Sequence, residues 1–382
     1  MHICFITSEF PKPGYPHGGV GTFVSTLGKA LVEKGIEVSV IGLNYINKDE
    51  TETINGIKVY RVCSKKIYGL QWYFNSRIIA DTINKINLIQ PIDFVETPEL
   101  GLAFLPKIKG VKYVIRLHGG HHFFAKAEKR NLEWWKVFQE KKSFRKADHI
   151  IAVSRYVAES TRNLLNLKNT EIEVIYNPID SKKFYQCNIK KIKRHSIFFA
   201  GSIIEKKGIR QLIQSLDHLV EEFSEVHLYI AGRNAKLPGS NIEYRPILDK
   251  FINDKIKTHI TFLGVISNAE IMNYIESSEI CCYPSHMEAM PLAWLEVLAM
   301  GKSFIGSKTG PGPEVVKENI TGLLVNPFEP NDIADKIRFL FNNPKLGVEM
   351  GNEARERIIK EFDIEVIVNQ NLNFFNRHSY KK

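Results

Sequence analysis

Cysteine and long apolar runs are both scarce in this sequence of 382 residues. The cysteines are odd in number and lack the spacing of a metal site or a redox pair; they are Cys4, Cys63, Cys187, Cys281 and Cys282. A reducing compartment is the simplest interpretation. No segment approaches the roughly 18–20 unbroken apolar residues of a membrane-spanning helix, and no basic leader precedes the first predicted strand. We therefore expect a cytoplasmic protein.

Acidic residues are outnumbered by basic ones, 42 to 52, which gives a formal net charge of +10. Nucleic acid, anionic lipid and phosphate-bearing substrates all suit such a balance. No nucleic-acid-binding module is evident, so no nucleic-acid partner is expected. The contents of 44% apolar and 25% charged residues are ordinary for a globular protein, and the length suffices for two domains.

Strand and helix patterns alternate along the chain, without an internal repeat. Asp180 to His195 is polar and lysine-rich, which suits a linker. We predict two doubly wound, Rossmann-like α/β domains that face a central cleft, covering residues 1–180 and 181–362, and a final helical segment over 363–382. The predicted strands are His2–Thr7, Glu37–Leu43, Lys58–Val62, Phe94–Thr97, Lys112–His118, His149–Ser154, Glu173–Tyr176, Ser196–Gly201, Val226–Gly232, His259–Gly264, Ile280–Tyr283, Ser303–Gly306 and Gly322–Val325.

Two carboxylates follow one of these strands. Glu288 lies in the loop after Ile280–Tyr283, where open α/β sheets bind ligands. Glu296 lies in a predicted helix, Leu292 to Met300, because Pro291 suits a first turn and Gly301 a left-handed stop. Free N–H groups near Leu292 would attract an anion. A solvated loop acid and a helix-surface acid remain the plain alternative.

The spacing of Glu288 and Glu296 resembles the two-glutamate motif of retaining glycosyltransferases of family four (group one), which have the two-domain GT-B architecture. The resemblance implies that Glu288 contacts the donor sugar near the reacting carbon and that Glu296 binds the ribose. It also implies an acceptor-side first domain, a nucleotide-sugar donor domain, and a final helix that crosses back to the first domain.

The glycine loop after the first strand, residues 17–21, lets backbone amides approach an anion closely. A plain turn is the alternative. In the resembling family this loop faces the donor phosphate and sugar, which assigns Gly18, Gly19 and Gly21 to donor binding.

His118 ends a predicted strand and is followed by two glycines and two further histidines. A metal ligand, a loop histidine without special role and a substrate contact are all compatible with that pattern. The resemblance places a histidine here beside the donor sugar, so His118 joins Glu288 as a predicted catalytic residue.

Residues 201–208 connect the first strand of the second domain to its first helix. The resembling family has an arginine and a lysine here that bind the diphosphate. Lys207 matches the lysine, whereas Ser202 stands in place of the arginine, and Lys206 or Arg233 could supply the missing charge. An exposed lysine pair is the alternative. Residues 310–316 and 321–325 also resemble the family's later segments.

The resemblance as a whole implies transfer of a sugar from a UDP- or GDP-linked donor to an acceptor hydroxyl, with retention of configuration. The acceptor would be a glycan or a lipid-linked glycan in cell-surface polysaccharide assembly. No Asp-x-Asp pair occurs in the chain, so we expect neither a metal nor another cofactor. A nucleotide-sugar epimerase and a non-catalytic sugar-binding protein are the alternatives.

Aromatic and basic residues are mixed between Lys126 and Lys146. The mixture suits an anionic membrane surface, such as the inner face of the cell membrane, and core packing of the aromatic rings is an equal alternative. The residues concerned are Trp134, Trp135, Phe138, Phe144, Lys129, Arg130, Lys136, Lys141, Lys142 and Arg145.

Overall fold

A computed structural model describes residues 1–15, 17–128, 130–237 and 240–379, which form two compact units. The first unit comprises Met1–Pro178 and the chain from Ile364 onward, and the second comprises Ile179–Asp363. Each unit contains a sheet with predominantly parallel strands, and helices connect most of the strands. The predicted fold class of two parallel-sheet α/β domains is confirmed.

The sheet of the first unit has eight strands in the order β3-β4-β2-β1-β5-β6-β7-β8. Its strands are β1 (His2–Ile6), β2 (Glu37–Leu43), β3 (Glu50–Ile54), β4 (Ile57–Val62), β5 (Phe94–Thr97), β6 (Lys112–Leu117), β7 (His149–Ala152) and β8 (Glu173–Val174). Its helices are α1 (Gly19–Glu33), α2 (Gln71–Ile89), α3 (His121–Ala127), α4 (Trp134–Phe144), α5 (Arg155–Leu165) and the last helix of the chain, Ile364–His378.

The central strand β1 explains the arrangement of this sheet. All five of its residues are buried, as expected for a parallel strand covered on both faces. It pairs in parallel with β2 on one side and with β5 on the other. The chain first builds the β2 side and then crosses to β5, so the direction of winding reverses between β1 and β5. Ligands of open α/β sheets bind at such a reversal, outside the carboxyl ends of the strands.

The edge strand β3 was not predicted because its sequence is polar and its middle residues are exposed. It pairs antiparallel with β4, and the turn between the two strands is formed by Asn55 and Gly56, whose φ angles of 50° and 78° are typical of a two-residue hairpin turn.

The last helix of the chain packs into the first unit through a buried polar cluster. Arg116 Nε lies 2.6 Å from Glu96 Oε1, and Arg116 Nη2 lies 2.6 Å from Asn371 Oδ1. All three side chains are almost completely buried. The rings of Phe94 and Phe375 pack beside this cluster with centroids 4.9 Å apart. The helix is therefore part of the core of the first unit.

The sheet of the second unit has six strands in the order β11-β10-β9-β12-β13-β14, and its winding reverses between β9 and β12. Its strands are β9 (Ser196–Ala200), β10 (His227–Ala231), β11 (Ile260–Gly264), β12 (Ile280–Tyr283), β13 (Phe304–Ser307) and β14 (Leu323–Val325). Its helices are α6 (Ile209–Ser215), α7 (Arg245–Leu248), α8 (Asn268–Ser277), α9 (Leu292–Ala299), α10 (Gly312–Val315), α11 (Pro330–Asn342) and α12 (Pro344–Glu361), which makes the last helix α13.

The lysine-rich segment between Asp180 and His195, predicted as a linker, is instead bound to the second unit. The Cys187 N–H donates to the carbonyl oxygen of Met300 over 2.9 Å, and the Asn188 N–H donates to Glu276 over 3.1 Å. The lysine content correctly indicates that many side chains of this segment face solvent, but it carries no information about the backbone. The backbone hydrogen bonds, together with the ion pair of Arg194 and Glu279, fix the segment to the second unit. Among the described residues, no helix is both long and apolar enough to cross a bilayer.

Candidate active site

Three loops of the second unit meet at the carboxyl edge of its sheet, after β9, β12 and β13. The His286 N–H donates to the carbonyl oxygen of Lys206 over 2.8 Å, and the Thr309 hydroxyl donates to the carbonyl oxygen of His286 over 2.9 Å. Gly208 has φ 69°, and a Cβ there would lie 1.8 Å from the carbonyl oxygen of Pro284. These contacts bring residues 201–208 and 284–291 together. The two loops follow β9 and β12, which are neighbouring parallel strands of the sheet.

Within these loops, Lys207 and Glu288 form an ion pair between Nζ and Oε1. Their side chains retain 25% and 15% of their exposure, so water still reaches both groups. A Cβ at Gly310, where φ is 65°, would lie 3.4 Å from the carbonyl oxygen of Glu288. The structure therefore brings Lys207, Glu288 and the glycine loop at residue 310 to one place.

Glu296 lies one turn into α9, which begins at Leu292 as predicted. Pro291 is the N-cap residue rather than the first helical residue, and Gly301 has the left-handed φ of 68° expected for a helix stop. The Leu292 and Ala293 N–H groups donate no hydrogen bond within the described part of the chain. Burial raises the pKa of the Glu296 carboxyl to about 7, although the positive charge of Lys183 acts in the opposite direction.

The loop that carries Ser202 is joined to the end of β10, where Arg233 lies. The Ile203 N–H donates to the carbonyl oxygen of Arg233 over 2.9 Å. Gly232 permits this approach, since a Cβ there would lie 1.8 Å from the carbonyl oxygen of Gly201. The exposed Arg233 side chain forms no hydrogen bond or ion pair with any described residue. Arg233 is thus a neighbour of Ser202, where the expected arginine is missing.

The glycine loop of the first unit leads into α1. A Cβ at Gly21 would lie 1.8 Å from the backbone oxygen of Glu9, and one at Gly18 would lie 2.4 Å from Glu9 Oε2. Gly21 is therefore required by packing against the backbone, whereas a Cβ at Gly18 would meet only the end of the Glu9 side chain, which can move aside. A Cβ at Gly19 would have no neighbour within 4 Å. Among the three glycines predicted to bind the donor, only Gly19 has open space around a Cβ.

His118 follows β6, one residue beyond the observed end of that strand. Its ring meets Phe23 edge-on with centroids 4.9 Å apart, and its backbone N–H donates to Glu99 Oε1 over 2.7 Å. Burial, with a smaller contribution from the charge of Arg116, lowers the pKa of His118 to about 3. The imidazole is therefore neutral at physiological pH and can offer one N–H donor and one acceptor nitrogen.

Comparison with known families identifies the chain. A family model described as Glycosyl transferases group 1 matches residues 182–357, and one described as Glycosyltransferase Family 4 matches residues 17–183. The chain belongs to the group 1 glycosyltransferases. N-acetyl-alpha-D-glucosaminyl L-malate synthase of Bacillus anthracis is 25% identical to this transferase over 370 residues, which cover 93% of each chain.

Solved structures show that the transferase has the GT-B fold. Sucrose-phosphate synthase of Thermosynechococcus elongatus is 18% identical, with a TM-score of 0.84 over 98% of both chains. HepE of Anabaena, crystallised with UDP and glucose, is 15% identical, with a TM-score of 0.73 over 99% of this chain and 100% of its own.

Glu99 is a residue of the first unit that sequence reasoning missed. It holds the His118 loop through backbone N–H groups, and burial raises the pKa of its carboxyl to about 7 despite those hydrogen bonds. An acid two residues beyond the buried strand β5 was the available signal. Nearby, His122 pairs with the buried Glu140, and His121 Nε2 accepts the Glu133 N–H over 3.0 Å. Glu140 lies in an ordinary helix, and no local pattern distinguishes it.

The aromatic and basic segment from Lys126 to Lys146 is only partly at the surface of the transferase. Trp134 is 77% exposed and Phe138 is 46% exposed. Phe144 is 8% exposed, so the prediction of a surface role is wrong for this ring, which packs in the core because it lies on the inner face of α4. Trp135 stacks on Phe138 with centroids 5.6 Å apart. Lys129 lies outside the described residues.

Proposed function

We propose that this glycosyltransferase moves a hexose from a UDP- or GDP-linked donor to an acceptor hydroxyl with retention of configuration. The observation that carries the proposal is the contact of Lys207 with Glu288 at the carboxyl edge of the second sheet. A cation for the departing diphosphate and a carboxylate for the sugar then lie side by side, where the bond between the anomeric carbon and the phosphate oxygen breaks.

The diphosphate accumulates negative charge as this bond breaks. Lys207 and the free N–H groups at the start of α9 are the groups proposed to stabilise that charge. Arg233 is the better candidate for the cation missing at Ser202, because its backbone pairs with the same loop and its guanidinium is unengaged by described residues. Lys206 is the alternative. With these donors in place, we propose that transfer needs no metal ion.

Roles are also proposed for Glu296, His118 and Gly19. Glu296 is proposed to accept hydrogen bonds from the ribose hydroxyls when ionised. His118 is proposed to contact the donor sugar as a neutral imidazole, since its lowered pKa excludes a positive charge there at physiological pH. Gly19 is proposed to let the backbone approach the donor. The acceptor oxygen forms the new bond to the anomeric carbon, and its proton leaves with the diphosphate.

The first test compares donors. HepE of Anabaena binds UDP and glucose in its crystal, so UDP-glucose is the first candidate, followed by other UDP- and GDP-sugars, each scored by thermal stabilisation with and without EDTA. A stabilising donor is then incubated alone and with candidate acceptors. A new glycoside supports transfer, a new isomer of the donor sugar indicates the epimerase alternative, and binding without either product indicates a sugar-binding protein. An anomeric configuration opposite to that of the donor would contradict retention.

The membrane contact is proposed as part of this function, at the inner face of the cell membrane and with a lipid-linked glycan as acceptor. Trp134 and the lysines of α4 support it through their exposure and charge. We expect co-sedimentation with anionic liposomes that weakens as salt is added, and weaker binding by Trp134→Ser. Equal recovery of both proteins in the supernatant at low salt would contradict the contact.

A further inference from the structure

A cavity of about 370 Å³ lies in the second unit at the amino edge of its sheet. Ile280, the first residue of β12, and Ser303, which directly precedes β13, are buried residues that line it. Because the strands of this sheet are parallel, the cavity is on the opposite edge from Lys207 and Glu288. The length of β12 separates the two edges by about 13 Å. A ligand in this cavity would therefore not occupy the proposed donor site.

Most of the cavity lining is apolar, and part of it is exposed to water. Ile280 and Leu340 are almost completely buried, whereas Ile189 lines the cavity and is still 61% exposed. The other apolar lining residues are Ile192, Pro344 and Val348. A ligand with an apolar body would remove the exposed part of Ile189 from water, which is favourable in proportion to the apolar area that it covers.

The segment that carries Ile189 is held in place without a ligand. The Asn188 N–H donates to Glu276 over 3.1 Å, and the Lys193 N–H donates to the carbonyl oxygen of Ser277 over 2.8 Å. Other lining residues belong to the start of α12, which is a regular helix of 18 residues. The cavity is thus formed by fixed elements, as most small-molecule sites are, and its volume is within their usual range of about 300–1,000 Å³.

The charged residues of the lining favour an anion. They are Arg194, Glu279 and Lys345. Arg194 pairs with Glu279 and also donates from Nη2 to the carbonyl oxygen of Phe341 over 3.1 Å, so these two charges compensate each other. Lys345 is exposed and forms no hydrogen bond or ion pair with any residue that the structure describes. The uncompensated positive charge lies in the first turn of α12, where the helix dipole also attracts anions.

The hydroxyl of Ser303 is buried and lacks a partner. Ser303 is 8% exposed, and its Oγ forms no hydrogen bond with a described residue. A Cβ at Gly347 would lie 2.7 Å from Ser303 Oγ, so a larger residue at this position of α12 would cover the hydroxyl. Buried polar groups without a partner are uncommon, because leaving them unpaired costs free energy. An acceptor oxygen of a ligand in the cavity would provide the missing partner.

We propose that this cavity is a second ligand site, which binds a small organic acid. Its apolar body would contact the isoleucine side chains, and its carboxylate would accept hydrogen bonds from Lys345 and from the Ser303 hydroxyl. A neutral apolar ligand would leave both donors unpaired, and a cation would be repelled by Lys345. The site would exist whether or not the protein transfers sugars, because none of its residues belongs to the proposed active site.

The test uses the full chain with labelled isoleucine methyl groups and octanoate as the probe. Octanoate should shift the NMR signals of the Ile189, Ile192 and Ile280 methyl groups in a saturable manner. The signal of Ile3, which is buried in the first unit, should not move. Octanol, which lacks the charge, and acetate, which lacks the apolar body, should each bind at least about tenfold more weakly.

Two variants test the contacts of the carboxylate. Ser303→Ala removes a hydroxyl that has no partner among the described residues, so octanoate affinity should fall about tenfold while the melting temperature does not fall. Lys345→Gln should weaken octanoate binding by about threefold, because an ion pair at an exposed site is weak. Lys360→Gln is the matched control, since Lys360 is an exposed lysine of the same helix that does not line the cavity.

The proposal is overturned if octanoate leaves the three isoleucine signals unchanged, or if octanol binds as tightly as octanoate. It is also overturned if octanoate binds Ser303→Ala and Lys345→Gln with the affinity of the parent protein. An equal loss of affinity in Lys345→Gln and Lys360→Gln would show that only the general positive charge of the surface matters, which contradicts a site at Lys345. Because no donor or acceptor is used, the outcome does not depend on the proposed function.

Discussion

The ion pair of Lys207 and Glu288 makes the two glutamates separable by experiment. Glu288→Gln removes the carboxylate that holds the Lys207 ammonium, and so frees the ammonium for phosphate. A partly exposed pair of this kind is worth up to about 1 kcal/mol. We therefore expect bare nucleoside diphosphate to bind Glu288→Gln with unchanged or up to about fivefold higher affinity. Turnover should fall on the order of 10²-fold, because the charge beside the reacting sugar is lost.

Glu296→Gln should behave differently. The substitution replaces hydrogen bonds from ribose to a charged acceptor, which contribute about 1.5–3 kcal/mol. Bare nucleotide and intact donor should therefore both bind roughly ten- to hundredfold more weakly. The comparison should be made near pH 8, where the Glu296 carboxyl, with a pKa of about 7, is mostly ionised.

Calorimetry with UDP and GDP and a transfer assay with the stabilising donor provide the two measurements. Glu353→Gln is the control, because Glu353 is an exposed acid of α12 in the same unit. Equal weakening of bare nucleotide by both active-site substitutions would refute the reasoning, as would full turnover in Glu288→Gln. A large loss of nucleotide affinity in Glu288→Gln alone would show that the assignments are reversed.

Three further predictions concern pH and packing. Affinity for an intact nucleotide sugar should rise about tenfold between pH 6 and pH 8 as Glu296 ionises, and calorimetry should show no such rise in Glu296→Gln. Gly19→Ala meets no neighbouring atom within 4 Å, so the melting temperature should not fall while donor affinity does; unchanged affinity would remove Gly19 from the site. Glu99 keeps its proton to about pH 7 in the folded protein and loses it near pH 4.3 when unfolded. The free energy of unfolding therefore decreases as the pH rises from about 4.3 to about 7. Denaturant titrations should show Glu99→Gln gaining stability relative to the parent over that interval, and parallel pH profiles would contradict the buried acid.

Much of the fold could be predicted because its determinants are local. Apolar runs such as Ile280–Tyr283 form buried strands in the observed positions. Gly301 ends α9 because a left-handed residue is needed there, and the Asn55-Gly56 turn follows from the φ angles that these two residues tolerate. The polar edge strand β3 was not predicted, because nothing in its own sequence indicates that it pairs with β4.

The candidate site likewise has some features that the local sequence determines and others that depend on the tertiary structure. The sequence alone determined that Glu288 follows a strand and that Glu296 lies in the helix after it, because hydrogen-bonding rules and side-chain periodicity act over a few residues. Only the tertiary structure decided that Glu288 contacts Lys207, 81 residues away, and that Glu99 holds the His118 loop, 19 residues away. It also decided the pKa shifts of Glu296 and His118. Contacts between distant residues and the burial of a charge depend on which strands become neighbours in the sheet, and no short segment of the chain contains that information.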